Sequence, residues 1–221
     1  MNRCELLIFD WDGTLMDSAA QIVAAMRQAI GELDLPPRSD REMSRLIGLG
    51  LEDAFSRLYP ELGPADLAAI FARYRTHFRG RQQTVYGQAF DGVENELQRL
   101  AAAGYDLAIA TGKSRKGLDQ SLHANRWNDH FVASRCADET APKPHPRMLE
   151  ELLLERALEA PQALMIGDTS YDMEMARRAG VPAVGVAWGV HEADELLAAG
   201  ALVVLPGITG LGDWLRDYGR R

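Results

Sequence analysis

Past about residue 85 the sequence alternates short apolar runs with amphipathic segments, and no other feature narrows the fold as far. The runs at 105–110, 131–133, 163–166, 183–186 and 202–204 hold almost no polar residue, so each reads as a strand buried on both faces. Between them apolar residues recur at helical spacing: Val93, Leu97 and Leu100, then Leu118 and Leu122, then segments at 146–158, 170–179, 191–199 and 211–218. Asp91 and Glu94 are expected to cap the first of these helices. Gly104 and Gly180 stand where helices stop, and Pro146 where one begins. A further apolar run at 6–9 belongs to the same set. Such alternation predicts an α/β fold, a Rossmann-like parallel sheet with helices on both faces. Ligands of such sheets bind beyond the carboxyl ends of the strands, so the residues found there carry the functional reading.

Between residues 16 and 84 the pattern is helical only. Ser18 with Gln21 reads as a capping box for a helix bearing Ile22, Met26, Ile30 and Leu33, ended by Leu35-Pro36-Pro37. Ser39 with Glu42 opens another, running through Ile47 and broken by Gly48-Leu49-Gly50; segments at 51–58 and 67–78 follow. Helices without strands, placed after the first strand, predict an all-helical cap at 16–84 inserted into a core of 1–15 and 85–221. The Gly48-x-Gly50 pair follows a helix and has Asp53 where a dinucleotide fingerprint needs its third glycine, so nucleotide-cofactor binding is not expected.

The first strand ends in Asp10-Trp11-Asp12-Gly13-Thr14-Leu15. Two carboxylates about 4 Å apart repel by about 4 kcal/mol at a surface-like dielectric. A cation, a proton or phosphoryl chemistry is needed to justify them, and the catalytic reading gives Asp10 the attack on phosphorus and Asp12 the proton. Three further strand ends or loops supply matching groups. Thr111 and Gly112 offer a hydroxyl and an unhindered N–H at a helix N-terminus, an anion site. Lys143 lies within Pro142-Lys143-Pro144-His145-Pro146, whose prolines lower the cost of fixing its ammonium group. Asp168 and Asp172 stand four residues apart at a strand-to-helix turn, where Asp172 either ligates a metal, directly or through water, or orients Lys143. Magnesium is the expected cofactor, held by Asp10 and Asp168 with Asp172 as the further candidate.

Composition removes other classes. A formal net charge of −8 speaks against nucleic acid or an anionic membrane as partner. Only Cys4 and Cys136 are present, without ligand spacing, which suits reduced thiols in the cytoplasm. No signal peptide is read in the first residues and no membrane span in 181–190, which Pro182, Gly185 and Gly189 interrupt. The histidines are scattered and read as surface or packing residues; Arg45 reads as a solvated helix arginine rather than a substrate ligand.

In these motifs the chain resembles the haloacid dehalogenase superfamily of phosphohydrolases, and within it the phosphoglycolate phosphatase-like branch. Asp10 to Leu15 match the first motif, the strand ending at Thr111 the second, Lys143-Pro144 the third, and Gly167-Asp168-Thr169-Ser170-Tyr171-Asp172 the fourth. The resemblance implies a capped phosphatase of a small phosphorylated metabolite, with an aspartyl-phosphate on Asp10. It gives Asp12 the protonation of the leaving alcohol and the activation of water, with its backbone carbonyl on the metal. Trp11 departs from the family's usual Leu, Phe or Met; its amide is expected to face the phosphate, and its indole either to narrow the site or to pack under the cap. A phosphosugar mutase of the β-phosphoglucomutase type and a non-enzymatic phospho-accepting module are the competing readings. The oligomeric state is open between monomer and dimer.

Overall fold

The computed structural model describes residues 4–82 and 88–218. Six parallel strands form the central sheet: β1 (Leu6–Phe9), β4 (Asp106–Thr111), β5 (Ala133–Cys136), β6 (Ala163–Gly167), β7 (Ala183–Val186) and β8 (Val204–Leu205), in the order β5-β4-β1-β6-β7-β8. Every residue of β1 and β6 is buried, because the pleat sends successive side chains to opposite faces and helices cover both. Leu7, Phe9, Ile109 and Ile166 pack on one face, under α5 (Val93–Ala102) and α10 (Leu211–Tyr218). Leu6, Ile8, Ala108 and Met165 pack on the other, under α7 (Arg147–Arg156), α8 (Ser170–Ala179) and α9 (Ala193–Ala199). A further helix, α6 (Arg115–Asn125), lies between β4 and β5.

The chain leaves β1 towards β4 and β5 on one side, then returns through β6 to build β7 and β8 on the other. Connections therefore diverge beyond the ends of β1 and β6, and a crevice opens there. The register pairs Phe9 with Ile166 and with Ile109, and Asp10 N–H donates to the Ile166 carbonyl at 2.9 Å. Asp10 is thus level with the end of β6.

Helices α1 (Ala19–Glu32), α2 (Asp40–Ser44), α3 (Leu51–Leu58) and α4 (Pro64–Gln82) carry an apolar cluster of their own, in which Ile22, Met26 and Ile30 meet Phe55, Leu58 and Ile70. The expected boundary at 84–85 falls outside the described residues. Where the chain enters and leaves this layer, β2 (Met16–Asp17) pairs antiparallel with β3 (Gln88–Ala89), a ribbon too short to leave a periodic trace in the sequence.

Several local expectations change. Ser39 and Glu42 form the predicted capping box, but α2 ends at Ser44, short of Ile47. Ser18 makes no cap bond, because its hydroxyl is taken by a buried carboxylate described below. Gly92, at φ +84, takes the N-cap of α5 in place of Asp91, a conformation that glycine adopts without strain. The strand expected at 131–133 lies at Ala133–Cys136; as an edge strand it tolerates Ser134 and Arg135, while Val132 stays exposed. Pairing with β7 places the last strand at Val204–Leu205, later than its apolar run suggests.

Two side chains fasten the helical layer to the sheet beside α8. The Tyr171 hydroxyl and His191 Nε2 both donate to the backbone carbonyl of Arg45, each at 3.1 Å. His191 Nδ1 accepts from Ser170 N–H at 3.0 Å, which places the imidazole proton on Nε2. The Arg45 guanidinium pairs with Glu195 at 2.9 Å, so Arg45 also ties the layer to α9 while its side chain stays exposed to solvent.

Candidate active site

The ends of β1, β4 and β6 contribute polar groups to the crevice. Asp10, directly after β1, is 1 % exposed; Asp168, directly after β6, and Asp172, in the first turn of α8, are fully buried. One carboxylate oxygen from each of the three lies within 4.8 Å of the others. Thr169 caps α8 by accepting from Asp172 N–H, while Asp172 Oδ2 accepts from both the backbone N–H and the hydroxyl of Thr169. This reciprocal box fixes the Asp172 side chain towards the strand end. Asp168 accepts from the Thr14 hydroxyl at 2.8 Å and from Val190 N–H at 3.0 Å. Gly13 and Gly189 press against it so closely that a β-carbon on either would collide with its carboxylate.

Lys143, fully buried in its proline loop, reaches Asp10 Oδ1 at 2.6 Å and Asp172 Oδ1 at 2.7 Å. Of the alternatives open for Asp172, contact with Lys143 is present. Burial opposes the lysine's charge, yet Asp10 and Asp172 outweigh it and hold the ammonium above its ordinary value. The carboxylates show the complementary stress. Burial pushes the Asp10 carboxyl well above the usual range, Lys143 opposes this, and Asp172 and Asp168 add to it. Burial and then Asp172 push Asp168 up to about 7.

Asp10 and Asp172 share one lysine, and Asp10 Oδ2 is buried with no hydrogen-bond partner among the described residues. A cluster of hard oxygen donors with an orphaned carboxylate oxygen fits a hard divalent cation. It contains no thiol or imidazole that would favour zinc.

Asp12 stands apart from this group. Its Oδ1 accepts from the Ser18 hydroxyl at 2.6 Å and its Oδ2 pairs with Lys113 at 2.9 Å, so its carboxylate is not in the acidic cluster. Lys113, not singled out from the sequence, sits directly after Thr111-Gly112 and lies 5.0 Å from the centre of the Phe78 ring. Its one sequence signal was that position. Thr111 closes β4 and accepts from Lys113 N–H at 3.2 Å. The N-cap of α6 is Ser114, so Gly112 lies ahead of the helix instead of on its first turn. It abuts the helical layer: a β-carbon there would stand 2.6 Å from the Leu49 carbonyl oxygen.

Trp11 overturns its expectation. Odd-numbered residues of β1 face the α5 side, and the indole follows Leu7 and Phe9 into that core, edge-on to Trp127 and Phe131, with Nε1 donating to Ser121. It neither narrows the site nor packs under the helical layer, and its backbone N–H donates to Asp10 Oδ1 at 2.6 Å.

Between sheet and helical layer lies a cavity of ≈ 520 Å³. Asp10, Asp12, Thr111 and Lys113 line its floor, and α1, α4 and the Gly48-Leu49-Gly50 turn its roof. That turn therefore faces the cavity, with Gly48 at φ +97 against Thr169.

A protein-family model described as haloacid dehalogenase-like hydrolase matches residues 7–186. The probable phosphatase IndB of Dickeya dadantii is 36% identical over 203 residues, covering 90% of this chain and 88% of its own. The phosphoglycolate phosphatase of Rhodospirillum rubrum is 32% identical over 218 residues, covering 95% and 90%. Among solved structures, a hydrolase from Pseudomonas syringae superposes with a TM-score of 0.87 at 26% identity, over 96% of this chain and 98% of the other.

Proposed function

The chain belongs to the haloacid dehalogenase-like hydrolases and is a phosphoric monoester hydrolase, and on that premise we propose a magnesium-dependent phosphatase that acts on a small phosphorylated metabolite through an aspartyl-phosphate on Asp10. Phosphoglycolate is its reference substrate, as the names of several relatives suggest. The observation that carries this reading is the buried meeting of Asp10, Asp168 and Asp172, two of them paired with Lys143.

The side chains of Asp10, Asp168 and Asp172, with the backbone carbonyl of Asp12, would hold the cation. When bound, it supplies the positive charge that lets a carboxylate approach a phosphate dianion. In the first step a carboxylate oxygen of Asp10 bonds to phosphorus as the bond from phosphorus to the ester oxygen breaks, and the Asp12 carboxyl gives its proton to that oxygen. In the second, Asp12 takes a proton from water, the water oxygen bonds to phosphorus, and the bond to Asp10 breaks to release phosphate. The Thr111 hydroxyl, already accepting from Lys113 N–H, keeps its own hydrogen for a phosphoryl oxygen. Lys143 offsets negative charge on Asp10 and on the incoming group. The Gly112 amide, and the Trp11 amide once Asp10 turns from it towards phosphorus, complete the phosphate contacts. Residues 16–84 act as a cap over a core of 1–15 and 85–221, which the separate apolar cluster of α1 to α4 supports. The free thiols of Cys4 and Cys136 suit the cytoplasm. Among the described residues no helix is long and apolar enough to cross a membrane.

Phosphate release from phosphoglycolate and p-nitrophenyl phosphate tests the reading. Turnover that needs magnesium and disappears in Asp10→Asn is expected; stoichiometric phosphorylation without turnover would overturn it in favour of a phospho-accepting module.

A further inference from the structure

The cavity is far larger than a two-carbon acid needs, and its roof has a definite chemistry. A volume of ≈ 520 Å³ falls within the range of sites that enclose ligands of many atoms. Four separate pieces of the helical layer supply apolar side chains to it: Ile22 and Met26 from α1, Ile47 from the turn after α2, Ala54 from α3, and Phe71 and Tyr74 from α4. Their convergence is not a by-product of one amphipathic helix.

The aromatic members are also fixed. Tyr74 stacks on Phe78, ring centres 5.5 Å apart and planes 14° from parallel, and meets Phe55 edge-on at 6.1 Å. Phe71 also meets Phe55, tilted, at 6.0 Å. Rings braced in this way present a preformed flat surface and lose little entropy when a ligand covers it. Tyr74 also lies close enough to Asp12 for that carboxylate, after burial, to help push its phenol upward, so the aromatic surface adjoins the place where the leaving group departs. Charged side chains line the cavity too: Glu52, Asp53 and Arg75 from the helical layer, and Lys113, Lys116 and Asp138 from the sheet side, with Lys113 engaged by Asp12. A small acid bound at Asp10 would leave the apolar roof facing water.

We propose that the leaving group is an alcohol bearing a planar, uncharged ring, of the dimensions of a nucleoside 5′-monophosphate, which packs on the Phe71 and Tyr74 surface while its phosphate sits at Asp10. This inference rests on the phosphatase reading and narrows its substrate class.

The test measures phosphate release by the full chain with magnesium on uridine 5′-monophosphate, phosphoglycolate and acetyl phosphate. The nucleotide is expected to exceed phosphoglycolate in kcat/KM by about tenfold or more, the scale of one base stacked on an aromatic side chain. Tyr74→Leu should lower the ratio of nucleotide to acetyl phosphate kcat/KM by about tenfold, chiefly through KM, and Tyr74→Phe should keep it. Thermal melting of both variants separates a lost surface from a lost fold. If Tyr74→Leu does not fold, the same ratio read in Phe71→Leu decides, an unchanged value counting against the proposal. Release from acetyl phosphate and phosphoglycolate with no advantage for the nucleotide overturns this inference and leaves the phosphatase reading standing. No release from any of the three overturns both.

Discussion

Asp168 is held in a state that ordinary carboxylates avoid, and the sign of the consequence is fixed. Its carboxyl stands at about 7 in the folded chain, raised by burial and by Asp172, against about 4 when unfolded. A group raised on folding stabilises the native state below its unfolded value and loses that contribution as the pH climbs through the folded one. The metal-free protein should therefore become less stable from about pH 4 to about pH 7, and melting in the presence of a chelator would show it. Asp168→Asn should flatten that slope. The contacts of Asp12 make a separate prediction. Lys113→Met and Ser18→Ala each free one of its oxygens, and misplacing the carboxylate should lower kcat on alkyl phosphates about ten- to a hundredfold. p-Nitrophenyl phosphate, whose leaving group needs no proton, should suffer less, a contrast that a purely structural defect would not produce.

Strand ends account for most of what the sequence disclosed. The runs that became β1, β6 and β7 are apolar throughout because helices cover both faces, and the first two stop at Asp10 and at Gly167-Asp168, which mark their ends. Asp10, Thr111 and Asp168 could be collected from that rule alone. Elements shaped by tertiary demand were not legible. Two-residue β2 and β3 exist only as a pair, and edge strand β5 carries polar residues that hide it. The Ser18 hydroxyl was expected on the helix backbone, but buried Asp12 competes for it and wins. The direction of Trp11 was in principle readable from the pleat, since it follows Leu7 and Phe9 at odd positions. One connection invites a test at this scale. A methyl group at Gly112 must displace the Gly48-Leu49 backbone, so Gly112→Ala should cost about 1–3 kcal/mol, measured as a lower denaturation midpoint.

At the scale of the whole molecule, the net charge of −8 and the acidic cluster both resist a compact state unless a cation offsets them. Magnesium at a hundred times its dissociation constant should add about 2.7 kcal/mol of stability, and the corresponding rise in melting temperature should shrink in Asp168→Asn. The layers are also joined in a way that bears on turnover. Tyr171 and His191, both from the sheet side, share the single carbonyl of Arg45 as acceptor. A shift of that peptide unit would forfeit both bonds together, so parting the layers there should cost both at once. Where product leaves by parting of the two layers, Tyr171→Phe is expected to speed release, so that a peptide group remote from phosphorus bears on turnover.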